Sequence, residues 1–257
     1  MDPREQTEFF YEMFDASLPR LGPGNEACTI NAINTLLPVI PRGRGRPVRI
    51  LDVGCGNGGQ TVCLARHVDG SILATDNHQP FLDELRRRAA ATGVDAKIQV
   101  SPRDMRSLNE SDGPFDLIWS EGSIFIVGFR EGLAAWHSLL APGGGLAVSE
   151  LAWLRSDPPE ECRRFFAEVY PAMTDIATNL ATIEACGYEV IGHFVEPESA
   201  WWDHYLLPLE ARLRIVRQKY AGDAEHLAIV EGIQLEIDMY RKHSAYYGNV
   251  FYQMRRR

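Results

Sequence analysis

A chain of 257 residues with 45% hydrophobic content is long enough for one large domain and its core. A formal net charge of −9 argues against a long phosphate backbone as partner. The five cysteines (28, 55, 63, 162 and 186) form no C-x-x-C pair, which argues against a disulfide framework. No signal peptide opens the sequence and no uncharged run is long enough to span a bilayer. The expectation is therefore a soluble, cytoplasmic protein acting neither on membranes nor on nucleic acid.

In chain order, residues 5–18 predict a helix with Phe9, Phe10, Met13, Phe14 and Leu18 tending to one face. LGPGN (21–25) breaks the chain, and a second helix runs from Glu26 to Leu37, before Pro38. PRGRGRP (41–47) predicts a basic, glycine-rich linker into the first strand, Val48 to Val53. That strand runs into ILDVGCGNGG (50–59). Gly54, Gly56 and Gly58 allow positive φ and a close ligand approach, with the first turn of the next helix facing the same ligand. Gly54, Gly56 and Gly59 also fit a dinucleotide-binding spacing. Asp52 opposes that reading, because a carboxylate at the turn repels a pyrophosphate and suits a ligand carrying an ammonium or hydroxyls. Cys55, inside the turn, reads as a small packing residue.

Beyond the turn, Gln60–His67 begins a helix, and SILATD (71–76) is a second strand. It ends on Asp76, 17 residues after Gly59, near the spacing of an acid that holds ribose hydroxyls. A helix over 81–91, a strand over 96–100 and the loop SPRDM (101–105) follow. FDLIWS (115–120) is an apolar strand suited to a buried parallel position. A helix over 128–140, a PGGG turn and a strand over 146–152 follow, with Glu150 near the strand's end. Helices over 158–173 and 179–186 lead to a strand over 188–196. About fifty helical residues then intervene, opening with SAWWDHYLLPLE, before a last strand, Asn249 to Arg255.

The glycine stretch, Asp76, FDLIWSEG (115–122) and LLAPGGGLAVSE (139–150) together resemble class I S-adenosylmethionine-dependent methyltransferases over roughly the middle half of the chain. The resemblance implies an α/β, Rossmann-like seven-stranded sheet with helices on both faces. An N-terminal helical extension and a helical insert between strands six and seven would complete a single domain. Its parts would be a lid (1–46), a cofactor core (47–196), a cap (197–248) and a final strand (249–257). The cofactor would be S-adenosyl-L-methionine, leaving S-adenosyl-L-homocysteine. Carried onto matching positions, its contacts would be Asp52, Gly54, Cys55, Gly56, Gly58, Asp76, Asn77, Asp104, Met105 and Glu121. Asp104 would meet the adenine amino group, and Tyr11 and Gly24 would reach the methionine end from the lid.

The implied reaction is in-line methyl transfer to a small-molecule acceptor, needing alignment and exclusion of water. It needs no metal, and a base only if the acceptor loses a proton. Base candidates are Glu121, Glu150, His204 and Tyr205, with Glu121 and His204 taken as catalytic. Trp201, Trp202, Tyr205 and Glu150 are expected to contact the acceptor. After the fourth strand stands S-E-G-S, where methyltransferases of nucleobases and glutamine often carry N-P-P-Y or D-P-P-Y. That departure and the net charge weigh against a nucleic-acid methyltransferase. A non-catalytic S-adenosylmethionine sensor is the other alternative, and a homodimer is left open.

Overall fold

The computed structural model describes residues 1–41 and 47–257. The basic linker expected over 41–47 lies, at residues 42–46, outside the described residues.

The centre of the sheet is β1 (Val48–Val53), flanked in parallel by β2 (Gly70–Asp76) and β4 (Phe115–Ser120). Outward from β2 lies β3 (Ile98–Pro102). Outward from β4 lies β5 (Leu140–Trp153). The far edge is made by β8 (Tyr247–Arg256), antiparallel to both β5 and β7 (Tyr188–Val195), giving the order β3-β2-β1-β4-β5-β8-β7. Strand order reverses between β1 and β4, so the crevice beyond their carboxyl ends is the place for a ligand.

The expected seven strands are thus in place, and the structure adds an eighth. The short β6 (Thr174–Asp175) pairs in parallel with the end of β5 at Ala152 and Trp153. Two boundaries also differ. The PGGG segment is not a turn before the fifth strand. β5 starts at Leu140 and runs through these glycines, and the pairing with β4 shifts register between Phe115 and Leu117. The last strand begins at Tyr247, because Tyr247–Asn249 continue the pairing with Trp153–Leu151.

Side chains of β1 alternate between two buried faces of the sheet, as a central parallel strand requires. Ile50 packs with α2 (Glu26–Leu36), α3 (Gly59–His67) and α4 (Gln79–Thr92) on one face. Leu51 and Val53 pack with α5 (Phe129–His137) and α7 (Ile176–Ala185) on the other. A third apolar cluster lies beyond the strand ends. It joins α1 (Pro3–Met13), α6 (Glu160–Val169), α8 (Glu198–Trp201), α9 (Leu207–Lys219) and α10 (Ala224–His243).

The N-terminal extension is therefore split. α2 packs on the sheet, whereas α1 joins the cap. Phe9 meets Tyr220 edge-on at 5.0 Å, and the Glu12 carboxylate accepts from Lys219 (2.7 Å) and Tyr220 (2.8 Å). α1 stops at Met13, short of the expected Leu18, because the next turn serves other partners. Asn57 donates to the carbonyls of Ala16 (3.1 Å) and Leu18 (2.6 Å), and Arg88 donates to those of Leu18 (2.7 Å) and Pro19 (2.9 Å). The loop before α2 is thereby pinned to the glycine turn.

Candidate active site

A cavity of about 470 Å³ opens beyond the ends of β1, β4 and β5 and runs under the cap. Its floor is the glycine turn. Gly54 has φ +67°, and a Cβ there would lie 2.6 Å from the Ser123 hydroxyl, so backbone alone fits. Gly54, Cys55 and Gly56 line the cavity, whereas Gly58 faces Leu85 of α4. Asp76 lines it too, with one carboxylate oxygen accepting from the Gly56 amide (3.0 Å) and the other from the His78 amide (2.8 Å). Each oxygen keeps lone-pair capacity for a hydroxyl. Burial holds this carboxyl above its usual range. Asn77, Asp104 and Met105 complete this end, and Asp104 also accepts from the Arg106 amide at 2.7 Å.

Asp52 stands behind this wall. It is wholly buried and accepts from Thr61 (2.6 Å) and, at the limit of hydrogen bonding, Gln60 (3.5 Å). Burial pushes it up to about 7. It braces the first turn of α3 and is not part of the lining.

Glu121, after β4, is the hub of the site. One oxygen accepts from Arg20 Nη1 (2.6 Å), and the other accepts from Thr29 (2.7 Å) and the Trp119 indole (2.8 Å). Three donors, one of them a buried guanidinium, engage both of its oxygens and hold the side chain in place. Gly24 has φ +137°, and a Cβ there would approach Arg20 Nη1 to 2.7 Å, so the loop closes over this ion pair only with glycine. Gly24 contributes by that close fit and is not in the lining.

The cap side has a different character. Trp202–Leu206 form one π-helical turn between α8 and α9. Trp201 and Tyr205 face the cavity. Trp202 packs outward against Tyr240, with the Arg241 guanidinium 5.2 Å above its ring, and the His204 side chain is exposed. His204 meets the site only through its carbonyl, which accepts from the Arg20 amide at 3.1 Å. Tyr11 is likewise turned from the lining, stacked on His78 at 3.5 Å, whereas its neighbours Phe10 and Phe14, stacked at 4.5 Å, line the cavity.

Glu150 of β5 reaches the cavity from the sheet. Its Oε1 accepts from the Tyr170 hydroxyl at 2.5 Å, and its Oε2 is buried without a hydrogen-bond partner. Burial pushes this carboxyl up to about 7. Glu236 of α10 reaches the cavity from above. Arg20, Tyr170 and Glu236 were not singled out by the sequence reading. Glu236 had a signal: an acid beside Ile233, Ile237 and Tyr240 on an otherwise apolar helical stripe. Arg20 had none, since its partner is distant in sequence.

Away from the cavity, Glu26, Cys63 and His67 bring potential ligand atoms within 4.8 Å. They are otherwise engaged. Glu26 pairs with Arg66 (2.8 Å), His67 Nδ1 lies 2.8 Å from the Cys63 carbonyl, and burial pushes the Cys63 thiol up to about 12.

Residues 50–144 match a family described as methyltransferase domain. Trans-aconitate 2-methyltransferase of Streptomyces coelicolor is 36% identical over 115 residues, which are 44% of this chain and 38% of that protein. The chain thus spans well under half the length of this curated relative. The fold match is broader. A methyltransferase from Geobacter sulfurreducens, crystallised with S-adenosyl-L-homocysteine, superposes with a TM-score of 0.81 at 19% identity, covering 97% of this chain and 98% of its own. The cyclase SpnF superposes with a TM-score of 0.72 at 18% identity, over 98% and 95%. The matched segment holds the glycine turn, Asp76 and Asp104, and the overall fold is common to these structures. By residues 50–144 the chain is similar to methyltransferases, and over its whole length it shares the fold of class I S-adenosylmethionine-dependent methyltransferases.

Proposed function

We propose that the protein transfers a methyl group from S-adenosylmethionine to a small-molecule acceptor held between β5 and the cap. The observation that carries this reading is the continuity of the cavity. It runs from Asp76 and the glycine turn, suited to a nucleoside, to Glu150 and an aromatic roof, suited to a second molecule. The cofactor end fits its ligand. Gly54 leaves the backbone open to close approach, Asp76 keeps acceptor capacity for two ribose hydroxyls, and Asp104 and Met105 stand where an adenine would meet them. Bound there, S-adenosylmethionine supplies a methyl group on a positively charged sulfur, already activated for displacement.

The chain's own residues then have three tasks. Glu121, fixed by Arg20, Thr29 and Trp119, holds the wall between β4 and the loop before α2. Phe10, Phe14 and the cap aromatics exclude water from the reacting centre. Glu150, oriented by Tyr170 and with Oε2 free, takes the proton of an acceptor that must lose one. A carboxyl near pH 7 suits that task, and His204 and Glu121 are less well placed for it. The lid reading is kept for α1 and the loop to Gly24, while α2 belongs to the core.

The test is incubation with methyl-labelled S-adenosylmethionine and a metabolite extract, followed by identification of the labelled product. Label recovered on a small molecule is expected. Binding of S-adenosylhomocysteine with no label transferred would favour a sensor, or a non-transferase reaction of the kind named for SpnF. Tight NAD binding with none for S-adenosylhomocysteine would end the methyltransferase reading.

A further inference from the structure

Eight charged side chains line the cavity: Arg20, Arg103, Arg106, Asp76, Asp104, Glu121, Glu150 and Glu236. Each arginine has an acidic partner. Arg20 meets Glu121 at 2.6 Å, Arg103 is held by both oxygens of Asp112, and Arg106 lies 3.6 Å from Asp104. The charges left without an ionic partner are all acidic: Asp76 at the ribose end, and Glu150 and Glu236 at the acceptor end. Glu236 is exposed by surface area, and the cap residues around it raise its carboxyl above the usual range by desolvation. It lines the cavity, and it makes no hydrogen bond or ion pair among the described residues. Around it the roof is aromatic, with Trp201 and Tyr205 in the lining and the Tyr247 hydroxyl buried beside it without a partner.

A carboxylate in the cavity wall with no cation of the protein beside it attracts a group of opposite charge. Aromatic faces attract the same kind of group through their quadrupoles. An anionic acceptor would find no free cation at this end and two acids. Building on the methyl-transfer reading, we infer that the acceptor carries a positively charged nitrogen, seated against Glu236 under Trp201 and Tyr205. The inference concerns the charge that anchors the acceptor. The methylated atom is whichever one Glu150 can relieve of a proton.

Three probes of one shape decide it: 2-phenylethylamine, 2-phenylethanol and phenylacetate, titrated calorimetrically into the full chain with and without S-adenosylhomocysteine. The amine should bind at least tenfold more tightly than either of the others. Glu236→Gln should abolish that preference while leaving S-adenosylhomocysteine affinity and melting temperature no lower than wild type. Equal or tighter binding of the alcohol or the acid, no binding of the amine, or a preference unchanged in Glu236→Gln would overturn the inference. Failure of S-adenosylhomocysteine to bind would count instead against the methyl-transfer reading, and the titrations without it would still report the charge preference.

Discussion

On the glycine-turn side of the cavity, Asp76 receives two backbone amides and Glu121 three side-chain donors. On the cap side, Glu150 has one donor and Glu236 has none among the described residues. The first half is preorganised, its polar groups already oriented before a ligand arrives. The second half keeps acids without ionic partners, which leaves them free to act on whatever enters. One half resembles a fitted socket, and the other leaves its acids open to a second molecule.

The sharpest way to break this contrast is Glu150→Gln. If Oε2 is the proton acceptor, turnover should fall about 10²–10⁴-fold, with S-adenosylhomocysteine affinity unchanged. Wild-type kcat should rise with pH through about 7 as Glu150 loses its proton, and the variant should lose that limb. A retained limb would move the base elsewhere.

Arg20→Met tests the preorganised half. Removing one partner of a buried ion pair costs about 3–5 kcal/mol, read by urea unfolding. The double variant Arg20→Met, Glu121→Gln should recover much of that loss, because no uncompensated charge remains. A loss no larger than that of a surface substitution would mean that the pair does not hold the loop to the sheet.

Asp76→Ala should weaken S-adenosylhomocysteine at least tenfold, since hydrogen bonds to a charged group contribute about 1.5–3 kcal/mol each. Loss of melting temperature with unchanged affinity would reduce Asp76 to a brace for the turn.

The smallest effect concerns Glu196, buried outside the lining, whose Oε1 lacks a partner and which burial pushes up to about 7. It binds a proton in the fold at pH values where the unfolded chain has lost it. Its contribution is full below the unfolded carboxyl range and disappears as pH rises through about 7. Glu196→Gln should therefore flatten the fall in stability between about pH 4.5 and 7 by roughly 1–3 kcal/mol. Identical pH profiles for wild type and variant would show that Glu196 stays charged in the fold.

How much of this was legible depended on sequence distance. The glycine turn, Asp76 and the buried strands are local patterns, and each lies where its spacing implied. Trp201 and Tyr205 were legible as an aromatic cluster. The same cluster suggested Trp202 and His204, which one π turn directs elsewhere. Nothing in the local sequence marks that extra residue per turn. Glu121 was recognised as important but given a base's role, because its neutralising partner Arg20 is 101 residues away.

The sequence by itself determined the α/β alternation, the ligand-binding turn and the acid that follows it. Those features rest on short-range backbone geometry and on period-two and period-3.6 burial. Tertiary structure decided the rest. It split the N-terminal helices between sheet and cap and withdrew Asp52 behind the wall. It neutralised Glu121, and it left Glu150 and Glu236 facing the same cavity from opposite sides. The physical reason is that a carboxylate's role is set by what surrounds it, and here the donors and the burial come from segments remote in the chain.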